Sequence, residues 1–199
     1  LDDDPSRDAQ LSEQVLRFPE HFLALDDPEV RKSTGFYLTP QPIVRAIITH
    51  IDRGLRLRLG LVDGLADDAT WADVRERNPW LKLPEGCPDE TPFVRILDPA
   101  AGTGIFLIEA LARIHEIKVS RWRSENPNLQ REEIEELWIH HVTQQLPRTL
   151  AGIELSPMPQ RVANRLVALA LRRTGVPETE SALELVRLGD GTKPPADPC

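Results

Sequence analysis

Cysteine is nearly absent from the 199-residue chain, which has only Cys87 and Cys199. Two cysteines exclude a multi-bridge disulfide framework and a four-cysteine zinc site, and so sparse a set suits a reducing cytosol. Long apolar runs are missing too, and none approaches the ~20 residues that a membrane-spanning helix needs. Positive charge is the minority sign: 24 Lys+Arg stand against 32 Asp+Glu, a net charge of −8. That balance argues against a chain that grips nucleic acid alone, because such a grip comes from basic side chains neutralising phosphates. It leaves open nucleic acid handled by a neighbouring domain. The first residues, Leu1-Asp2-Asp3-Asp4-Pro5, have neither the basic start nor the apolar core of a signal peptide. No repeat at solenoid periods and no low-complexity tract is found. What is present is ordinary, 40% hydrophobic and 28% charged residues, and fits a soluble enzyme or binding domain.

Three segments follow from the pattern. Residues 1–34 are polar with an apolar patch at Phe18, Phe22, Leu23 and Leu25, and read as an N-terminal arm with a short helix. Residues 35–92 hold a helix and a long connection. In the helix, Ile43, Ile47, Ile51, Leu55 and Leu59 recur every four residues, with Val44 and Ile48 widening the stripe. Thr39-Pro40-Gln41-Pro42 puts a hydroxyl at the expected N-cap and prolines where helical N–H groups have no partner anyway. From 60 to 92, Gly, Pro, Asp and Trp without periodicity read as a surface connection.

Residues 93–199 alternate strand and helix. The short apolar run Phe93-Val94-Arg95-Ile96-Leu97 ends at Asp98, and a helix follows, marked by Phe106, Leu107, Ala110, Leu111, Ile114 and Ile117. Another helix is expected within 126–146. Leu150–Leu155 reads as a second strand, a long helix runs from about Pro157 through Leu171, and Leu185–Leu188 reads as a third strand. This order predicts an α/β fold, a parallel sheet with helices on both faces. Asp98, Glu154 and Asp190 then cap successive strands along one rim, where ligands of such sheets bind.

The sharpest stretch is Asp98-Pro99-Ala100-Ala101-Gly102-Thr103-Gly104-Ile105-Phe106-Leu107. A strand ends in an acid, small residues turn, and a helix opens whose N–H groups suit an anion. No Lys follows the glycines, which excludes an ATP-type phosphate loop. A dinucleotide fingerprint wants Gly or Ala where Leu107 sits and its acid about 20 residues on. Asp98 suits an amine or water, Glu154 a ribose diol, Leu155 a flat ring and Asp190 an exocyclic amine. S-adenosylmethionine carries all of these groups, with a carboxylate for the helix end.

Asp98–Leu107 resembles the S-adenosylmethionine-binding motif I of adenine-specific amino-methyltransferases of DNA. Gly35-Phe36-Tyr37-Leu38-Thr39-Pro40 resembles their motif X, Gly152-Ile153-Glu154-Leu155-Ser156-Pro157 their motif II, and Gly189-Asp190 fits motif III. Residues 18–192 as a whole are similar to the methylase region of single-chain, helicase-fused restriction–modification enzymes of type ISP. The resemblance implies a Rossmann-like class I methyltransferase fold. It also implies cofactor contacts at Thr39, Pro40, Asp98, Ala100, Gly102, Thr103, Gly104, Glu154, Leu155 and Asp190, with no metal. Leu38 stands where the family more often has Thr or Tyr, and residues 120–148 look like a helical insertion.

One element of the family is missing. Its Asn/Asp-Pro-Pro-aromatic loop, which grips the flipped adenine, does not occur. Asn78-Pro79-Trp80 precedes motif I and reads as a turn with a packed Trp. The chain is therefore expected to be the cofactor-binding half of a larger enzyme, incomplete at its C-terminus, with DNA engaged through other domains and no catalytic residue of its own. Two other readings stay open: a non-catalytic cofactor-binding or interaction module, and a nicotinamide-dependent oxidoreductase. His140-His141 read as surface or interface histidines, and the calcium-like spacing of Asp2, Asp4, Ser6, Asp8 and Glu13 lacks its glycine.

Overall fold

A computed structural model describes residues 39–193. The expected arm at 1–34, Gly35–Leu38 of the motif X stretch and the calcium-like spacing lie outside the described residues.

The first helix, α1 (Gln41–Leu59), starts one residue later than Thr39 capping would place it. Pro40 is the N-cap, and its carbonyl accepts from Ile43 and Val44 N–H. Its buried face also differs from the expected stripe. Val44, Ile48 and Asp52 are buried, while Ile43, Ile47 and Ile51 are 51%, 40% and 45% exposed. The reason is Asp52. Its carboxylate accepts from Leu65 N–H at 3.0 Å and pairs with Arg113 at 2.8 Å and Arg56 at 3.3 Å. Because its charge is paired and hydrogen-bonded, Asp52 can face inward with Val44 and Ile48, and the isoleucines lie outside. The packing is tight enough that a Cβ on Gly64 would fall 1.9 Å from Asp52 Oδ1.

The stretch 60–92 is more ordered than a surface connection. It contains a 3-10 turn at Gly64–Ala66 and a short helix α2 (Trp71–Arg77), opened by a Thr70/Asp73 capping box. Leu61 and Val74 are fully buried beneath it. Asn78 is buried and donates from its side chain to Val74 O and Leu59 O, so it ends α2, while Trp80 is exposed instead of packed. Cys87 is buried and disulfide-bonded, against the expectation of reduced cysteines, and Cys199 lies outside the described residues.

Next come β1 (Ile96–Asp98), α3 (Ile105–Glu125), α4 (Arg131–Gln144), α5 (Leu146–Thr149), β2 (Leu150–Glu154), α6 (Pro157–Arg173), α7 (Glu178–Ser181) and β3 (Val186–Leu188). The strands form one parallel sheet in the order β1-β2-β3, with Asp98 beside Gly152 and Glu154 beside Leu188. Phe93 and Val94 stay outside β1, since Phe93 N–H turns back to Ala69 O.

Among the described residues the helices do not flank both faces. Leu150, Gly152 and Val186 share the covered face, where a Cβ on Gly152 would come within 2.8 Å of Leu107 and 3.0 Å of Ala101. On the other face Leu97 is 48% exposed and Arg187 is exposed. Topology explains this. Two right-handed crossovers stepping in one direction put both connecting helices on one side, and covering the other side needs a strand order that reverses. At the outer edge, Asn164 clamps the Val186 peptide, donating to its O at 2.8 Å and accepting from its N–H at 2.9 Å, and Gln160 adds a second donor. No described helix is long and apolar enough to cross a membrane.

The expected insertion is the α4–α5 pair, joined to α3 by an aromatic seam. Trp138 meets His115 edge-on at 4.7 Å and stacks on His141 at 5.5 Å. His141 is a buried residue, not a surface one, and buried Lys118, paired with Asp68, lies near it. Burial first, then the Lys118 charge, pushes the His141 pKa down to about 4. The unfolded chain would take up that proton near pH ~6.5. Stability from this group is therefore complete above pH ~6.5 and is lost as pH falls toward 4, by no more than about 3 kcal/mol. Urea unfolding between pH 7 and 4 is expected to show this loss, and His141→Phe, which keeps the stack, to flatten it. An unchanged slope would contradict the assignment.

Candidate functional site

The rim at the carboxyl ends of the strands gathers most of the predicted residues. Asp98 ends β1 and is half-buried, and its Oδ1 accepts from Ala100 N–H at 3.1 Å. Burial raises its pKa above the usual carboxylate range. The Ala100 N–H pulls the other way, and the nearby Glu154 charge adds to the rise. Ala100 itself is exposed on the turn.

Glu154 ends β2 and bridges two elements. One oxygen accepts from Gly102 N–H and the other from Ser156 N–H, both at 2.9 Å. The first bond holds the glycine turn against β2, and the second fixes the start of α6. Each carboxylate oxygen keeps a further lone pair for a ligand hydroxyl. Gly102 sits at φ +56 with open space where a side chain would project, so its need for glycine is conformational and the ground beside it is free. Gly104, at φ +80, caps α3 and lies against Ala163 of α6.

Between the two glycines lies Thr103, 2% exposed, whose hydroxyl has no hydrogen-bond partner among the described residues. A buried hydroxyl is costly to leave without a partner, so this one suits a hydrogen bond with water or with a polar ligand group. It stands at the opening of α3, where backbone N–H groups also lack intrahelical acceptors. Leu155, the next residue along the rim, is 72% exposed.

The remaining predicted residues reach the same end by different routes. Asp190 follows β3, and its Oδ1 accepts from Thr192 Oγ1 at 2.7 Å and Thr192 N–H at 3.1 Å. Those bonds, with Lys193 at 3.7 Å, hold its pKa low. Thr39 and Pro40 stand at the start of α1. The pairs Arg45–Glu109 and Asp52–Arg113 show α1 and α3 side by side in the same direction, which brings that start to the end where the glycine turn lies. Thr39 is half-buried and Pro40 exposed.

The residues missed in the sequence are those whose role is seating the rim. Ala163 receives Gly104, Asn164 and Gln160 hold β3, and Gly191 rests on the Pro99 backbone. Only Gly191 carried a signal, as the second glycine of a Gly-Asp-Gly turn. One cleft lies elsewhere. A cleft of about 860 Å³ lies between the end of α1 and the second half of α3, but Arg56, Arg113 and Arg121 in its wall are already paired with Asp52, Asp63, Glu116 and Glu125. Convergent chemistry makes the rim the stronger site. Among the described residues no group of three or more His, Cys, Asp or Glu side chains is placed to hold a metal ion. No family model, curated protein or solved structure matches the chain.

The turn's dependence on glycine is measurable. Gly102→Ala is expected to cost about 1–2 kcal/mol, from φ alone. Gly104→Ala is expected to cost more, because it adds the Ala163 contact. Chemical unfolding of both variants checks the order, and equal or negligible losses would contradict it.

Proposed function

We propose that this chain is the S-adenosylmethionine-binding portion of a DNA adenine methyltransferase, one that methylates the adenine exocyclic amine within a restriction–modification system. The observation that carries the reading is the glycine turn set between two strand-end acids, where the buried Thr103 hydroxyl has no partner among the described residues. That combination fits a ligand with an amino-acid end and a nucleoside end. The one-directional sheet with an uncovered second face fits half of a Rossmann-like class I methyltransferase.

The residues divide the ligand by chemistry. The α3 start and Thr103 hydroxyl take the methionine carboxylate, with Thr39 and Pro40 closing over that end. Asp98 takes the amine directly or through water. The free lone pairs of Glu154 take the ribose hydroxyls, in charge-assisted bonds within a partly desolvated rim. Exposed Leu155 packs on the adenine face, and Asp190 accepts from its amino group. The chemistry the cofactor supplies when bound is an electrophilic methyl on a sulfonium. The chain's own contribution is to hold that group fixed and dry. Base flipping and the grip on the target amine belong to an Asn-Pro-Pro-aromatic loop that this sequence lacks, and DNA is engaged through other domains.

Calorimetry with S-adenosylhomocysteine is expected to show binding that Glu154→Ala weakens by roughly 1–3 kcal/mol. Incubated with adenine-containing duplex DNA, this chain alone is expected to give no methyl transfer. Turnover by the chain alone would overturn the fragment reading, and indifference of binding to Glu154→Ala would overturn the site.

A further inference from the structure

Asp190 follows β3 with its side chain 38% exposed. Its carboxylate is oriented locally by Thr192, but the turn as a whole is seated by the next residue. At Gly191 a Cβ would come 1.9 Å from Pro99 O, 2.8 Å from Pro99 C and 3.1 Å from Pro99 Cα. These are backbone atoms of the turn that follows Asp98, so no flexible side chain can swing aside. Gly191 is not at positive φ, so its requirement is space alone and not conformation. Upstream, the turn is anchored where Gly189 N–H donates to Glu154 O at 2.9 Å, and it closes on itself through Lys193 N–H to Asp190 O at 3.1 Å.

We infer that Gly191 is a positioning residue for purine selectivity: only a residue without a side chain lets the β3 turn rest on Pro99, and that seat sets the distance from Asp190 to the ring edge. The inference rests on the adenosyl reading of the rim. A side chain at 191 lifts the turn off Pro99 by more than an ångström. Because the Thr192 contacts lie within the turn, the carboxylate keeps its hydrogen bonds and moves with it. The loss therefore falls on the group Asp190 would recognise, a ring amine, and not on the ribose or amino-acid end held by Glu154, Gly102 and Thr103.

Two probes separate the roles: S-adenosylhomocysteine, and S-inosylhomocysteine, which presents an oxo group in place of the amine. The wild-type chain is expected to favour the adenosyl compound by about tenfold or more, because a carboxylate facing an oxo group has no donor to accept from. Gly191→Ala is expected to lower adenosyl affinity by about tenfold while leaving inosyl affinity within roughly twofold, so the preference collapses. Thr192→Val, which only loosens the carboxylate, is expected to give a smaller loss of about threefold in the same direction. Unfolding midpoints close to wild type confirm that both variants fold. A wild-type preference retained in Gly191→Ala, or equal losses for both probes, overturns the inference. Binding of neither probe by the wild-type chain overturns the site reading instead, and the inference with it.

Discussion

One carboxylate ties together two loops of the rim. Glu154 accepts a backbone N–H from the glycine turn and another from the first residues of α6. Strand β2, the turn after β1 and the helix leading to β3 thus meet at a single ion. Bonds from N–H groups to a charged acceptor are stronger than neutral ones, and here they hold two adjoining loops at once. They also leave a second acid beside the first. Burial first, and then the nearby Glu154 charge, raises the Asp98 pKa against the pull of the Ala100 N–H, so the two acids lie close enough to feel each other. Thr103, buried and without a hydrogen-bond partner among the described residues, follows the Gly102 whose N–H Glu154 holds.

The scaffold serves that spot through simple rules of handedness. Because both crossovers step the same way, α3 and α6 crowd one face, and their N-termini both open on the rim beside Glu154. The close approach of Gly152 to Leu107 and Ala101 lets α3 lie flat on β2. On the far side of α3, the Asp52 network ties α1 and the Gly64–Ala66 turn to Arg113. The face bearing Leu97 and the outward isoleucines of α1 are among the apolar surfaces left exposed.

Much of this was legible in the sequence where the signal was local. Strand-ending acids, positive-φ glycines and long helices each announce themselves within a few residues, and their order implied the parallel sheet. The misreadings share a different cause. The α1 stripe was read from apolarity alone, but a buried Asp52 satisfied by Arg113, 61 residues away, decided which side faces inward. The helix α2 is two turns long with little periodicity, and only its capping box could have shown it. Helices on both faces were inferred from alternation, which does not record the direction in which strands are added. The Gly191 seat and the unpartnered Thr103 depend on contacts between distant segments, which no spacing rule encodes.

The most direct measurement is a backbone amide NMR titration of the chain with S-adenosylhomocysteine. The account predicts saturable shifts concentrated at Gly102, Thr103, Gly104, Leu155 and Asp190, with the amides around the Arg56, Arg113 and Arg121 cleft unmoved. Shifts confined to that cleft, or none at ligand concentrations well above those of the protein, would contradict it.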